Sequence, residues 1–444
     1  MNWNQSRLKR TNVRAAGKGR LEFMRKNVSM PLMSRREALK LSGLAVGALA
    51  IGVAAPRVAY GDGALEKKDL TLGFIPLTDC SPLIIASEKG FYTKYGLNVR
   101  IKKMASWGAT RDAIHKGDID GSHILMGMVV GSTLGVGDVG SPTKKVPMCA
   151  LQCLNANGQA ITLKKALLDA GITTPAAIKK AIVEKGTKFT FAMTFPTGTH
   201  AMWMRYWLAS GGVHPDKDVK LITIPPPQMV ANMKTGNMDG FCVGEPWNAR
   251  AVTENIGGTG ITTQGIWKNH PEKVFGVTEA FATANPNTCA ALVAATMEAS
   301  RWLDDLKNRA EAAQIVGKTE YINCAPDTIL GRMLGKYIHA PGGSAVDDLD
   351  YMRFFERDAS VPYLSHATWF MSQHRRWGML ADKPDYLAEA KKIMRHDIYV
   401  AGCKMAGVKV PDQMESRGKE TLFDGTVFDP ADPEAYGMGF KVKA

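Results

Sequence analysis

The amino-acid sequence predicts an α/β protein with two similar lobes, each built on a parallel β-sheet covered by helices. Apolar strands alternate with segments of helical periodicity, a pattern typical of parallel sheets, and one such unit occurs twice. In the first copy a strand begins at Leu70 and a Gly-Asp-Ile-Asp-Gly turn at Gly117. In the second copy the strand begins at Phe189 and the corresponding Gly-Asn-Met-Asp-Gly turn at Gly236. Both distances are 47 residues (117 − 70 and 236 − 189). This match in order and spacing indicates a duplicated fold.

The first copy begins with an apolar strand over residues 70–75. Pro82 then suits the first turn of a helix that Gly90 ends. A second strand follows at 97–101, and a second helix at 107–116 leads to the shared turn.

The second copy repeats this order, with strands at 189–193 and 219–224 and helices at 200–210 and 228–234. Beyond residue 286 the spacing of apolar residues is mainly helical, most clearly at 290–309 and 384–396. We therefore predict a leader at 1–61, the first lobe at 62–165, the second lobe at 166–272, and a return to the first lobe with a helical C-terminal extension at 273–444.

The net charge of +14 suggests a nucleic-acid binder, but its distribution does not. Residues 1–59 hold 12 basic and two acidic residues, which leaves 56 − 12 = 44 basic and 42 − 2 = 40 acidic residues elsewhere. Because the excess lies in the leader, we predict no nucleic-acid partner. The content of 45% hydrophobic and 22% charged residues is ordinary for a globular protein.

The leader is typical of an export signal. Arg35 and Arg36 precede an uncharged stretch at 41–56, which is shorter than the roughly 20 residues that span a bilayer. We predict twin-arginine export to the periplasm; a membrane anchor is the alternative. Seven cysteines without a C-x-x-C, together with the absence of H-E-x-x-H or Walker sequences, predict no metal, no cofactor and no catalytic residue.

Ligands of open α/β sheets bind beyond the carboxyl ends of the strands, here in the cleft between the lobes. Four segments should reach this cleft, through Thr78, Trp107, His200 and the backbone of Val243 and Gly244. Thr78 and His200 lie at helix starts, which favour anions, and a glycine lets a backbone amide approach a small ligand closely. Each also has an ordinary structural interpretation: a turn for Thr78 and Gly244, packing for Trp107, and a half-buried histidine for His200.

The sequence closely resembles the nitrate- and bicarbonate-binding proteins of bacterial ABC importers, over about residues 70–400. The resemblance rests on the segments GFIPLTDCSPL (73–83), NGQAITL (157–163), PTGTH (196–200), GFCVGEPWN (240–248) and WKNHPEK (267–273). It implies a type II periplasmic-binding-protein fold whose lobes close on one small oxyanion. Carried over by position, it implies anion contacts from Thr78, Trp107, Gln159, His200, Val243, Gly244 and Lys273.

Lys273 is the discriminating residue in this resemblance, which implies a lysine in nitrate binders and an acidic residue in bicarbonate binders. Nitrate has acceptor oxygens and no proton, so we expect a cleft with donors only and a fixed cation. On this view Lys273→Ala weakens nitrate binding without unfolding the protein. The alternative is that Lys273 is a solvated lysine in a loop.

The resemblance implies a periplasmic receptor that is not an enzyme and that delivers nitrate, and also nitrite, to an ABC permease and its ATPase. Three alternatives stay open. They are a bicarbonate or cyanate receptor of the same family, a cytoplasmic nitrate sensor of the same fold that regulates an RNA-binding partner, and an enzyme of this fold. Such an enzyme would need a reactive histidine and cysteine, or a lysine that binds a cofactor.

Overall fold

The computed structural model describes residues 63–137 and 140–444. The predicted leader, with Arg35 and Arg36, lies outside the described residues. The strands are β1 Asp69–Phe74, β2 Asn98–Lys103, β3 Gly121–Leu125, β4 Met148–Cys153, β5 Ala156–Asn157, β6 Gln159–Lys164, β7 Thr190–Met193, β8 Lys220–Thr223, β9 Gly240–Gly244, β10 Gly257–Thr262, β11 Lys273–Thr278, β12 Lys336–Tyr337, β13 Val346–Asp347, β14 Met352–Arg353, β15 Glu420–Thr421 and β16 Val427–Phe428.

The helices are α1 Ser81–Glu88, α2 Phe91–Lys94, α3 Trp107–Lys116, α4 Met126–Leu134, α5 Lys165–Asp169, α6 Pro175–Lys185, α7 Thr199–Ser210, α8 Met229–Lys234, α9 Trp247–Thr253, α10 Thr263–Ile266, α11 Glu279–Ala284, α12 Pro286–Asp304, α13 Arg309–Gly317, α14 Pro326–Met333, α15 Leu364–Arg376, α16 Tyr386–Ile393, α17 His396–Met405 and α18 Pro433–Met438. Within the described residues, no helix combines the length and apolarity needed to cross a bilayer.

Two five-stranded sheets define the lobes, with strand orders β2-β1-β3-β11-β4 and β10-β6-β9-β7-β8. Three neighbouring strands in each sheet are parallel, β2-β1-β3 in the first and β9-β7-β8 in the second. The two sheets therefore have the same arrangement, and the predicted two-lobed α/β fold is confirmed.

One strand in each sheet, β11 or β6, runs antiparallel to both of its neighbours. The prediction of wholly parallel sheets is wrong at these strands, because each comes directly from the other lobe without a helical return over its own sheet. The chain also passes from the first lobe to the second earlier than predicted. We placed the end of the first lobe segment at residue 165, but β6 at Gln159–Lys164 already pairs in the second sheet.

The predicted helix at 107–116 is confirmed by α3, whereas the predicted helices at 290–309 and 384–396 each end earlier than expected. The first stops at Asp304, because the buried Arg309 side chain caps it by donating through Nε to the Leu303 carbonyl at 2.8 Å. The second is α16, which ends at Ile393, because the backbone of Arg395 donates instead to the Ala150 carbonyl on β4 at 3.1 Å.

The C-terminal extension joins the lobes. Helix α15 packs against α4 of the first lobe, and its His374 Nε2 lies 3.0 Å from the Thr197 carbonyl of the second lobe. One cluster of buried apolar residues runs from the first sheet through the second sheet to α15, and another packs β1 and α1 against α12, α13 and α17. All seven cysteines are free, and Cys149 and Cys153 share β4 as predicted.

Candidate functional site

The strand directions bring the predicted site residues to the facing edges of the two sheets. Thr78 and Trp107 follow the parallel strands β1 and β2, and His200 follows β7. An antiparallel strand begins where its parallel neighbours end, so the crossing strands start at this same edge. Gln159 is the first residue of β6 and Lys273 is the first residue of β11. The two strands that carry the chain from one lobe to the other thus place Gln159 of the second sheet and Lys273 of the first sheet in the cleft.

Lys273 lies at the centre of the site and is fully buried. Its Nζ donates to Asp79 Oδ2 at 2.7 Å, contacts Glu272 Oε1, and lies 5.4 Å from the centroid of the Trp107 ring. Burial alone would lower the pKa of Lys273, but Asp79 and Glu272 outweigh it and raise that pKa, so the ammonium is charged. The alternative interpretation of Lys273 as a solvated loop lysine is wrong.

The second lobe meets this group through His200, whose Nε2 lies 3.5 Å from Glu272 Oε1. Gln159 Nε2 donates to the same ring nitrogen at 2.5 Å, and His200 Nδ1 lies 2.5 Å from the Thr194 hydroxyl. Burial, together with the Lys273 charge, holds the pKa of His200 well below its usual range. His200 is therefore a neutral imidazole, and the positive charge of the site rests on Lys273.

Asp79 anchors the first lobe's side of the site. Its Oδ1 lies 3.2 Å from His123 Nε2, and the His123 ring lies 5.2 Å from the ring of Trp107. Burial would raise the pKa of Asp79, but the Lys273 ammonium and the His123 contact lower it below its usual range. Burial lowers the pKa of His123, so Asp79 is a carboxylate beside a neutral histidine.

Backbone groups close the cleft on the side of β9. The Thr78 amide donates to the Glu245 carbonyl of the other lobe at 2.7 Å. A Cβ on Gly244 would lie 2.8 Å from Asp79 Oδ2, so only glycine allows this approach. Val243 contributes differently, because its carbonyl accepts from the Asn248 side chain at 2.7 Å. The structure therefore brings Gly244, but not the Val243 carbonyl, to the charged group.

Three buried polar atoms of the predicted site residues have no hydrogen-bond partner within residues 63–137 and 140–444: Thr78 Oγ1, Trp107 Nε1 and Gln159 Oε1. A buried donor without a partner is costly in a folded protein and often marks a ligand position. The Thr78 hydroxyl and the Trp107 indole are both donors. The cleft can therefore offer hydrogen bonds to an acceptor ligand next to the Lys273 ammonium.

Known proteins are similar to this chain in both sequence and structure. Residues 63–317 match the family described as NMT1-like, which is more than half of the chain. The chain belongs to the NMT1-like family. It is 43% identical over 394 residues to the nitrate/nitrite binding protein NrtA of Synechocystis sp. PCC 6803, covering 86% of this chain and 87% of that protein.

Two further comparisons, one with a second relative and one with a solved structure, extend this result. The chain is 34% identical to the bicarbonate-binding protein CmpA of Synechococcus elongatus, covering 87% of this chain and 89% of that one. The crystal structure of the periplasmic nitrate-binding protein NrtA from Synechocystis PCC 6803 superposes with a TM-score of 0.81 at 42% identity, over 86% of this chain and 100% of that one. The resemblance indicated by the sequence motifs is therefore confirmed.

This member of the NMT1-like family departs from one expectation. We predicted a cleft with donors only, yet Asp79 and Glu272 place two carboxyl groups against Lys273. Asp79 follows Thr78 and Glu272 precedes Lys273 in the sequence. This adjacency to two predicted site residues was the one feature that could have indicated their place in the site. Acidic residues beside a lysine are usually solvated, so sequence alone gave no reason to expect them inside. In the described part of the chain, no group of three or more His, Cys, Asp or Glu side chains could hold a metal ion.

Proposed function

We propose that this protein is the periplasmic receptor of an ABC importer, which captures nitrate and nitrite between its lobes and delivers them to the permease and its ATPase. The observation that carries the proposal is the fully buried, charged Lys273 ammonium where the two lobes meet. Nitrate keeps its negative charge at physiological pH and presents three acceptor oxygens without a proton. A buried cation beside unpartnered hydroxyl and indole donors matches that chemistry.

The family comparison supports the same ligand. Identity is 43% to the protein named as nitrate/nitrite binding and 34% to the one named as bicarbonate-binding, over similar shares of the chain. The position that the resemblance links to this choice holds the buried Lys273. These findings favour nitrate over bicarbonate.

A second candidate ligand, bicarbonate, is favoured by the carboxyl groups of Asp79 and Glu272. Bicarbonate carries a proton, and an ionised carboxylate beside it could accept that hydrogen bond. Asp79 is less suited to this role, because its oxygens already accept from Lys273 and contact His123. Bicarbonate would therefore depend on Glu272.

Calorimetric titration of the mature protein with nitrate, nitrite, bicarbonate, cyanate and an alkanesulfonate tests the proposal. We expect saturable binding of nitrate and nitrite, since a planar or bent anion with free acceptors satisfies the donors around Lys273. We expect weaker binding of bicarbonate and no binding of the bulkier sulfonate. Tighter binding of bicarbonate than of nitrate would instead establish the second candidate.

We propose a binding role without chemistry. An enzyme of this fold would need a reactive histidine and cysteine, or a lysine that binds a cofactor. The thiols of Cys80 and Cys242 interact with the charges of Asp79, Glu272 and Lys273. Burial raises the pKa of both thiols well above the usual range of cysteine, so they are protonated and unreactive. Release of a product from any added anion would overturn this part of the proposal.

We also propose that the protein reaches the periplasm by the twin-arginine route, on the strength of the Arg35-Arg36 pair before a weakly apolar stretch. Replacing both arginines with lysine should leave the precursor in the cytoplasm, because twin-arginine signals depend on the guanidinium pair. Cell fractionation with an antibody against the mature chain measures this. Export of the Lys-Lys variant at the normal level would rule out the route.

A further inference from the structure

The charges around Lys273 do not suit an anion as they stand. One ammonium faces two carboxyl groups, Asp79 and Glu272, and all three side chains are fully buried. The flanking histidines, His123 and His200, are neutral. With both carboxyl groups ionised the cluster would carry a net charge of −1, and a bound monoanion would raise this to −2 away from water. Buried uncompensated charge is strongly unfavourable.

The hydrogen bonds distinguish the two carboxyl groups. Both oxygens of Asp79 have partners, because Oδ1 lies 3.2 Å from His123 Nε2 and Oδ2 accepts from Lys273. Glu272 contacts Lys273 through Oε1, which also lies 3.5 Å from His200 Nε2, and its Oε2 has no hydrogen-bond partner among the described residues. A proton on Oε2 would therefore break no existing contact, whereas a proton on Asp79 would.

We propose that the anion binds together with one proton, which Glu272 holds, so that the binding-competent cleft takes a monoanion that carries no proton of its own. This inference rests on the proposed nitrate function and specifies its ligand class. The proton comes from solvent and returns to solvent when the anion leaves. Protonated Glu272 is a neutral donor, so the cluster of Lys273, Asp79 and Glu272 carries no net charge before the anion binds.

The electrostatics of every neighbouring element agree with this assignment. Glu272 faces Lys273 at the start of β11, Asp79 after β1, His200 at the start of α7 and Cys242 on β9. Burial and the Asp79 charge raise the pKa of Glu272, while Lys273 and the Thr199 hydroxyl lower it, and the result is about 7. A proton-linked ligand binds fully below this pKa, and its affinity falls by about tenfold per pH unit above it.

Calorimetry with nitrate at about pH 8, in two buffers with different ionisation enthalpies, measures the proton directly. We expect wild-type protein to take up about one proton per nitrate there and almost none at about pH 5, where Glu272 is already protonated. Glu272→Gln mimics the protonated side chain. It should take up no proton and bind nitrate with an affinity that does not change between these pH values. Glu298→Gln is the matched control, because Glu298 also accepts from a lysine, Lys94, but outside the cleft; it should behave as wild type.

The results separate this inference from the function on which it rests. Nitrate binding without proton uptake by the wild type would overturn the inference and leave the nitrate receptor standing. Proton uptake that persists in Glu272→Gln would also overturn it, by assigning the proton to another group. Absence of nitrate binding at every pH would contradict the proposed function itself. If Glu272→Gln does not fold, the wild-type proton count still decides the inference.

Discussion

Lys273→Ala should weaken nitrate binding by about 10- to 100-fold, and no other single change in the cleft should cost more. Losing a hydrogen bond to a charged group costs about 1.5–3 kcal/mol, which corresponds to one to two decades of affinity. Repulsion adds to this, because Asp79 and Glu272 stay in place without their counter-ion. Calorimetric titration with nitrate measures the change. Unchanged affinity would remove Lys273 from the site and reopen the choice of ligand.

The same substitution should also destabilise the protein, which differs from the expectation drawn from sequence alone. Removing one partner of a buried ion pair typically costs about 3–5 kcal/mol, since the remaining charge is left unpaired. Urea denaturation measures this loss. Lys94→Ala is the control, because Lys94 also bridges to a glutamate but is 58% exposed, and exposed pairs contribute at most about 1 kcal/mol. The double variant Lys273→Ala/Glu272→Gln should recover part of the stability but not the nitrate affinity.

Trp203→Ala should lower the free energy of unfolding by about 3–5 kcal/mol, as expected when a fully buried aromatic side chain is removed from a core. Trp203 lies on α7, one turn beyond His200, and contacts both the second lobe and the C-terminal extension. Its ring centroid lies 4.6 Å from that of His270 and 4.9 Å from that of Trp369 on α15. The cavity would separate the site helix from the extension that supports it.

Urea denaturation of Trp203→Ala, compared with that of Trp302→Ala, tests whether Trp203 holds the extension to the second lobe. Trp302 is only partly buried, at the end of α12, so its loss should cost a small fraction as much. Nitrate affinity should fall in Trp203→Ala, because His200 loses support from its own helix, and stay normal in Trp302→Ala. Equal loss of stability in the two variants would show that the aromatic contacts of Trp203 do not hold the extension to the second lobe.

The regular parts of the fold could be predicted because they follow from local patterns. The helix predicted near 107–116 is α3, in which the Ser106 hydroxyl caps the first turn by accepting from the Ala109 amide and Gly117 ends the last turn. The duplicated unit likewise predicted two equivalent lobes. Strand direction could not be predicted, because the apolar runs of β6 and β11 look the same in either orientation.

The residues of the candidate site could be predicted only in part. Thr78, Trp107 and His200 follow strands, so the topology placed them in the cleft, whereas Lys273 and Gln159 came from the family resemblance. Nothing local shows that Asp79 meets a lysine 194 residues away (273 − 79). The ion pair arises because β11 returns from the second lobe and inserts beside β3. Long-range contacts of this kind depend on the whole chain path.

A crystal structure of the mature protein grown with nitrate would show whether Lys273 holds the anion. We expect one nitrate between the lobes, with an oxygen about 3 Å from Lys273 Nζ and others within hydrogen-bonding distance of Trp107 Nε1 and Thr78 Oγ1. Glu272, as the protonated acid, should then lie within hydrogen-bonding distance of the anion or of Lys273. Nitrate bound away from Lys273, or a cleft that stays without nitrate at saturating concentration, would show that Lys273 does not form the anion site.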